Sequence, residues 1–168
     1  MKSVLVNVYC NRMLKELIGS IAELQKNVFP RLQIQFAGEW EPNATSYDTA
    51  QKHYDAYDIL SNAALQNNDT TLLITNKIIG TFWHGMLFGA TVGKCAIVST
   101  ARLSNYGDIA VEACHEIGHT LGLRHCSNDC LMAGSFSAEE VCKKSRSLCS
   151  RCSRIIAEDI YLPEQAKK

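Results

Sequence analysis

His115-Glu116-Ile117-Gly118-His119-Thr120-Leu121-Gly122-Leu123-Arg124-His125 has the form H-E-x-x-H-x-x-G-x-x-H. Histidines at i and i+4 lie one above the other on a helix face. His115 and His119 can therefore hold one metal ion together, with Glu116 beside them within reach of a water on that ion. Gly122 can take the left-handed conformation that ends a helix. The chain then folds back and presents His125 as a third ligand. Three neutral imidazoles leave the fourth position of zinc open for water. A zinc-bound water with a carboxylate next to it is the equipment for hydrolysing a peptide bond. An amphipathic helix with surface histidines is the plain alternative. It does not explain why three of the five histidines fall in these eleven residues at fixed offsets.

Cys126 adjoins His125 directly, and Cys130, Cys149 and Cys152 follow. Two clusters of paired cysteines at short spacing are the pattern of a closed tetrahedral zinc site. Disulfides are the alternative, and the choice turns on compartment. Val4 to Val8 is interrupted by Asn7, too short and polar for a signal-peptide core. No run of about eighteen apolar residues exists to span a membrane. A cytoplasmic chain with reduced thiols is expected, and its clustered cysteines are read as metal ligands. Cys142 lies seven residues before Cys149, on the same helix face if one helix carries both, so it can replace one of the four. Cys10, Cys95 and Cys114 have apolar neighbours and read as core residues.

A chain of 168 residues is one domain of ordinary size, able to bury roughly 70% of its unfolded surface. Lys plus Arg and Asp plus Glu number seventeen each, so overall charge points to neither nucleic acid nor membrane. From Cys142 onward there are seven Lys or Arg against three Asp or Glu. A solvated helix face accounts for that excess. Its competitor is a zinc-binding module in which Lys143, Lys144, Arg146, Arg151 and Arg154 meet nucleic acid phosphates, or which docks a protein partner with little peptidase activity. That reading leaves Glu116 and the histidines without a role.

Val4 to Tyr9 reads as a strand buried on both faces, followed by a helix over about 12–26. Leu32, Ile34 and Phe36 alternate with glutamines as a half-buried strand, Pro42 to Ser46 is a loop, and a second helix is expected over about 48–66. Strands follow at Leu72 to Thr75 and Lys94 to Thr100, then the metal helix over Asp108 to Leu121 and a last helix over about Ala138 to Tyr161. Phe82 to Phe88 is a candidate edge strand that can take up an extended peptide. Alternating strands and helices predict an α/β layer on a mostly parallel sheet.

The eleven-residue motif resembles the metzincin zinc peptidases. The cysteine that follows at once, Cys130-Leu131-Met132 and the later C-x-x-C are similar to one branch, the archaemetzincins (archaelysins). The specific pattern covers His115 to Cys152, and Cys95 to Leu103 resembles the family's strand leading into the active-site helix. The family pattern has four residues between the first two cysteines where this chain has three, and the span from Met132 to Cys149 is one residue shorter.

The resemblance implies that His115, His119 and His125 bind a catalytic zinc and that Glu116 is the general base. It further implies that Met132 forms the turn beneath that zinc, and that Cys126, Cys130, Cys149 and Cys152 bind a second, structural zinc. The expected fold is one compact metzincin-like α/β domain over 1–168, with a mixed, mostly parallel twisted sheet. Residues 1–104 supply the sheet and two N-terminal helices. Residues 105–168 supply the active-site helix, the cysteine site and a C-terminal helix. The expected partner is a peptide or protein substrate.

Overall fold

The computed structural model describes residues 4–66 and 69–160. Its main sheet is built from runs of β-branched and other apolar residues. The strands are β1 (Val4–Cys10), β2 (Leu32–Gly38), β5 (Thr70–Thr75), β8 (Gly89–Val92) and β9 (Cys95–Ser99), in the order β2-β1-β5-β9-β8. Three of the four pairings are parallel, and only β8 runs antiparallel, to β9 at the edge. Every residue of β5 and β9 is buried, as expected of central strands covered on both faces. Helices α1 (Leu17–Val28) and α3 (Tyr106–Thr120) cover one face, where Ile21, Cys114 and Ile117 meet Val6, Val8 and Val98. Helix α2 (Ala56–Gln66) covers the other, packing Ile59 and Leu60 on Leu73 and Ile97. Among the described residues no helix is long and apolar enough to cross a membrane.

Four elements depart from the sequence expectation, each for a local reason. β1 is buried on one face only: Val6, Val8 and Cys10 point inward while Asn7 accepts a hydrogen bond from Gln35. The expected helix over 48–66 begins only at Ala56. The Asp55 carboxylate accepts from the backbone N–H groups of Tyr57 and Asp58, which is N-cap chemistry. Upstream, Asp48 caps a turn instead, through Ala50 and Gln51. That turn joins β3 (Tyr47–Asp48) to β4 (His53–Asp55), in a small sheet completed by β6 (Ile79–Thr81) and β7 (Gly85–Leu87) in the order β3-β4-β6-β7.

The candidate edge strand over Phe82 to Phe88 is split. β6 (Ile79–Thr81) turns at Phe82 to His84 into β7 (Gly85–Leu87), and buried Phe88 separates β7 from β8. The expected C-terminal helix is two short ones, α4 (Ala138–Lys143) and α5 (Ser150–Ile155), the latter continued by a π turn over Ile156–Ile160. α4 opens with a capping box between Ser137 and Glu140. Lys144 leaves helical geometry, and Cys149 restarts the chain from an extended N-cap. Residue 161, the expected end of that helix, lies outside the described residues.

α3 starts where Asn105 accepts from the N–H of Asp108, and it ends as the sequence suggests. Gly122 is left-handed at φ 88°, and Leu123 N–H returns to the Gly118 carbonyl. The chain reverses there and carries His125 back over the helix.

Candidate active site

His115 and His119 project from one face of α3, and their Nε2 atoms lie 3.1 Å apart. A carbonyl oxygen can only accept, so each Nδ1 carries the hydrogen in its bond to backbone: His115 to Leu131 O at 2.9 Å and His119 to Leu123 O at 2.8 Å. Both Nε2 lone pairs are thereby free to point at a common centre. The His125 ring completes the group, 5.3 Å from the His115 ring and 4.8 Å from that of His119. One nitrogen from each of the three rings lies within 4.8 Å of the others. Tetrahedral zinc with bonds of about 2.0–2.1 Å spaces its nitrogens about 3.3 Å apart, so the imidazoles fit that ion. Burial, and next the Lys144 ammonium, hold His115 far below the ordinary imidazole value. Burial also lowers His119. Both rings are thus neutral at pH 7, as metal ligation requires.

Glu116 is 4% exposed on the same turn. Its Oε2 accepts from the Thr91 hydroxyl at 2.6 Å, and its side chain lies against Gly89. Burial and the neighbouring Glu112 carboxylate raise its pKa to about 8, against the opposing pull of Thr91 and Lys144. Glu116, Thr91, Gly89 and Glu112 line a cleft of about 780 Å³ that also holds all three histidines. Its rims are β7 and β8 on one side and Gly134 to Phe136 on the other.

The four cysteines Cys126, Cys130, Cys149 and Cys152 bring their Sγ atoms within 4.8 Å of one another, with no disulfide among them. The Cys126 and Cys149 sulfurs are 3.7 Å apart. Zinc–sulfur bonds of about 2.3 Å in a tetrahedron set about 3.8 Å, so this donor set also fits zinc. The three-residue spacing between Cys126 and Cys130 therefore closes the cluster. Asn128 donates to the Cys149 sulfur, and this bond leads the causes that lower that thiol to about 6. Cys142 is exposed on α4, outside the cluster, while Cys10, Cys95 and Cys114 are buried in the core. Burial pushes the Cys114 thiol up to about 12.

Backbone bonds join the two groups. Leu131, whose carbonyl orients His115, sits between Cys130 and Met132, and its N–H donates to Ser147 O at 2.8 Å. Cys126 N–H donates to Met132 O at 2.9 Å. Met132 is fully buried and packs so tightly under α3 that a Cβ on Gly118 would lie 2.5 Å from its sulfur.

Sequence reasoning missed Gly89, Thr91 and Glu112, and it misplaced Lys144. The Lys144 side chain is 1% exposed, and its ammonium donates to Glu112 at 3.0 Å beneath the cleft. Lys143 pairs with Glu139 on α4. Two members of the supposed basic cluster are therefore already engaged, one of them inside the protein. Glu112 stands four residues before Glu116, a spacing visible in the sequence. Thr91 lies 25 residues away from it and carries no local signal.

The pattern of Peptidase family M54 matches residues 89–158. The chain is 34% identical over 138 residues to archaemetzincin from Nanoarchaeum equitans, covering 81% of this chain and 80% of that one. It is 30% identical over 143 residues to archaemetzincin from Halobacterium salinarum, covering 74% and 83%. The crystal structure of archaemetzincin from Methanopyrus kandleri superposes with a TM-score of 0.84 at 23% identity, over 96% of this chain and 97% of that one.

Proposed function

Because this chain belongs to the archaemetzincins, zinc metallopeptidases of peptidase family M54, we propose that it hydrolyses peptide bonds with Glu116 as general base. In this reading His115, His119 and His125 hold the catalytic zinc. Cys126, Cys130, Cys149 and Cys152 hold a second, structural zinc, giving two per chain. Met132 is the methionine of the turn below the catalytic ion. We read 1–168 as one peptidase domain, since the cysteine site and the sheet-borne cleft wall meet on α3. The observation that carries the proposal is the convergence of three imidazoles and one buried carboxylate on a single cleft.

Bound to the histidines, zinc supplies a Lewis acid that makes water nucleophilic near neutral pH and polarises a carbonyl oxygen. Glu116 takes the proton from the attacking water and gives it to the leaving amine. Its buried setting keeps that proton from bulk solvent. Oε1 makes no hydrogen bond among the described residues, so it is the oxygen open to the water. The Leu131 and Leu123 carbonyls hold the rings of His115 and His119 in the tautomer that leaves Nε2 free. Among the described residues β8 pairs only with β9, so its outer edge offers backbone groups to an extended peptide lying in the cleft. The exposed Met86 and Phe136 flank that path with apolar surface.

Glu116→Gln tests this assignment. The variant should retain zinc, measured by elemental analysis, and lose about 10²–10⁴-fold in hydrolysis of a quenched peptide library. Unchanged turnover at equal zinc content rules out Glu116 as the base.

A further inference from the structure

β8 faces α3 with two residues, Gly89 and Thr91, that lie on the same side of the strand. Both touch Glu116. A Cβ at position 89 would lie 2.6 Å from Cγ and Oε1 of Glu116, so only glycine leaves that space to the carboxylate. Thr91 Oγ1 donates to Oε2 at 2.6 Å, a short O–H···O hydrogen bond. The same hydroxyl is 3.3 Å from the Glu116 backbone carbonyl. It has one hydrogen, and the shorter contact, to Oε2, takes it.

A glutamate's terminal torsion is broad and roughly two-fold, so burial alone does not decide which oxygen faces the cleft. We propose that Thr91 is a positioning residue for the hydrolytic step, anchoring Oε2 of Glu116 so that Oε1 is presented over Gly89 to the attacking water. The inference rests on Glu116 being the base. Thr91 suits the task because its β-branched side chain is stiff at χ1. Its backbone is paired with Ala96 of the central strand β9, so the sheet sets the hydroxyl's position independently of the helix that carries Glu116. A hydroxyl held by the sheet thus fixes the angle of a base held by the helix. The strand available to an extended substrate is also the one that aligns the base.

Thr91→Val removes the hydroxyl and keeps shape and strand preference, whereas Thr91→Ser keeps the hydroxyl. In the zinc-loaded protein, Thr91→Val should lower kcat about tenfold, with KM within about twofold and zinc content unchanged; tenfold corresponds to about 1.4 kcal/mol. Thr91→Ser should recover most of that loss. Crystal structures should show the Glu116 carboxylate turned or split in Thr91→Val and single in Thr91→Ser. Gly89→Ala should displace the carboxylate while zinc stays bound. A Thr91→Val kcat within twofold of the parent overturns the proposal. A serine variant as slow as the valine variant, or an unmoved carboxylate in Thr91→Val, also overturns it. Thr91→Ala against Thr91→Ser gives the same comparison if the valine variant does not fold. A parent protein without peptide hydrolysis would count against the assigned function instead. The carboxylate orientations would then still decide the role of Thr91.

Discussion

Replacing Lys144 with methionine should destabilise this protein severely, although the residue lies in a segment that reads as a basic surface. Its ammonium and the Glu112 carboxylate are 3.0 Å apart with side chains 1% and 5% exposed. At an effective dielectric near 20 that separation corresponds to about 5.5 kcal/mol of attraction, largely offset by the cost of taking both charges out of water. Lys144→Met does not recover that cost for the partner. It leaves Glu112 buried and uncompensated, with Glu116 one helical turn away, and the expected loss is about 3–5 kcal/mol. Glu112→Met should cost a similar amount by stranding the ammonium. The double variant removes both charges with little change in volume, and it should return to within about 1 kcal/mol of the parent. Urea denaturation followed by tryptophan fluorescence at fixed free zinc measures all four proteins. A single-variant loss below about 1 kcal/mol would mean the pair is solvated. A double variant as unstable as Lys144→Met would mean that packing, not charge, is what Lys144 contributes.

Cys149→Ser should weaken zinc at the histidine site about 10–100-fold, because the cysteine cluster holds the backbone that delivers His125 and the Leu131 carbonyl bonded to His115; competition with a chelator measures this, and full affinity in the variant breaks the coupling. In the metal-free protein, stability should rise with pH up to about 6.5 and then level off. The lowered His115 and His119 leave the unfolded chain binding more protons as pH falls below about 6.5, while Glu116, raised to about 8, leaves the folded chain holding one more between about 4.5 and 8. Between about 4.5 and 6.5 the two imidazoles outweigh the carboxyl, so stability falls with falling pH by at most about 1.4 kcal/mol per unit, less in practice because His119 is partly exposed. From about 6.5 to 8 the raised carboxyl and the Cys149 thiol, lowered to about 6, act in opposite directions, so stability should level off; thermal melts that show no loss of stability from pH 6.5 down to 4.5 contradict the assignment.

The two candidate ligand sets were legible because each is written in short-range spacing. His115 and His119 share a face by helical period, and Gly122 needs only its own left-handed turn to return His125. The four clustered cysteines fall within one segment from Cys126 to Cys152, and the structure leaves Cys142 outside their cluster. Periodicity failed where a polar side chain redirected the backbone. Asp48 and Asp55 each cap a local turn, and a helix over 48–66 became a hairpin followed by a shorter helix. Lys144 turns inward and Cys149 joins the cysteine cluster, and the last helix broke between them.

The chain's linear order therefore determined the chemistry: three imidazoles, a carboxylate and four thiols at spacings that a helix and a reversal bring together. It also determined the alternation of strand and helix that builds a parallel sheet. Only the tertiary structure decided what surrounds Glu116. Thr91 and Gly89 reach Glu116 because β8 lies beside α3, and Lys144 reaches Glu112 because α4, between the two cysteine pairs, packs against that helix. Ligand spacing is a property of one or two turns of backbone. The orientation of a buried carboxylate depends on which distant strand packs against it, and that depends on how the whole core closes.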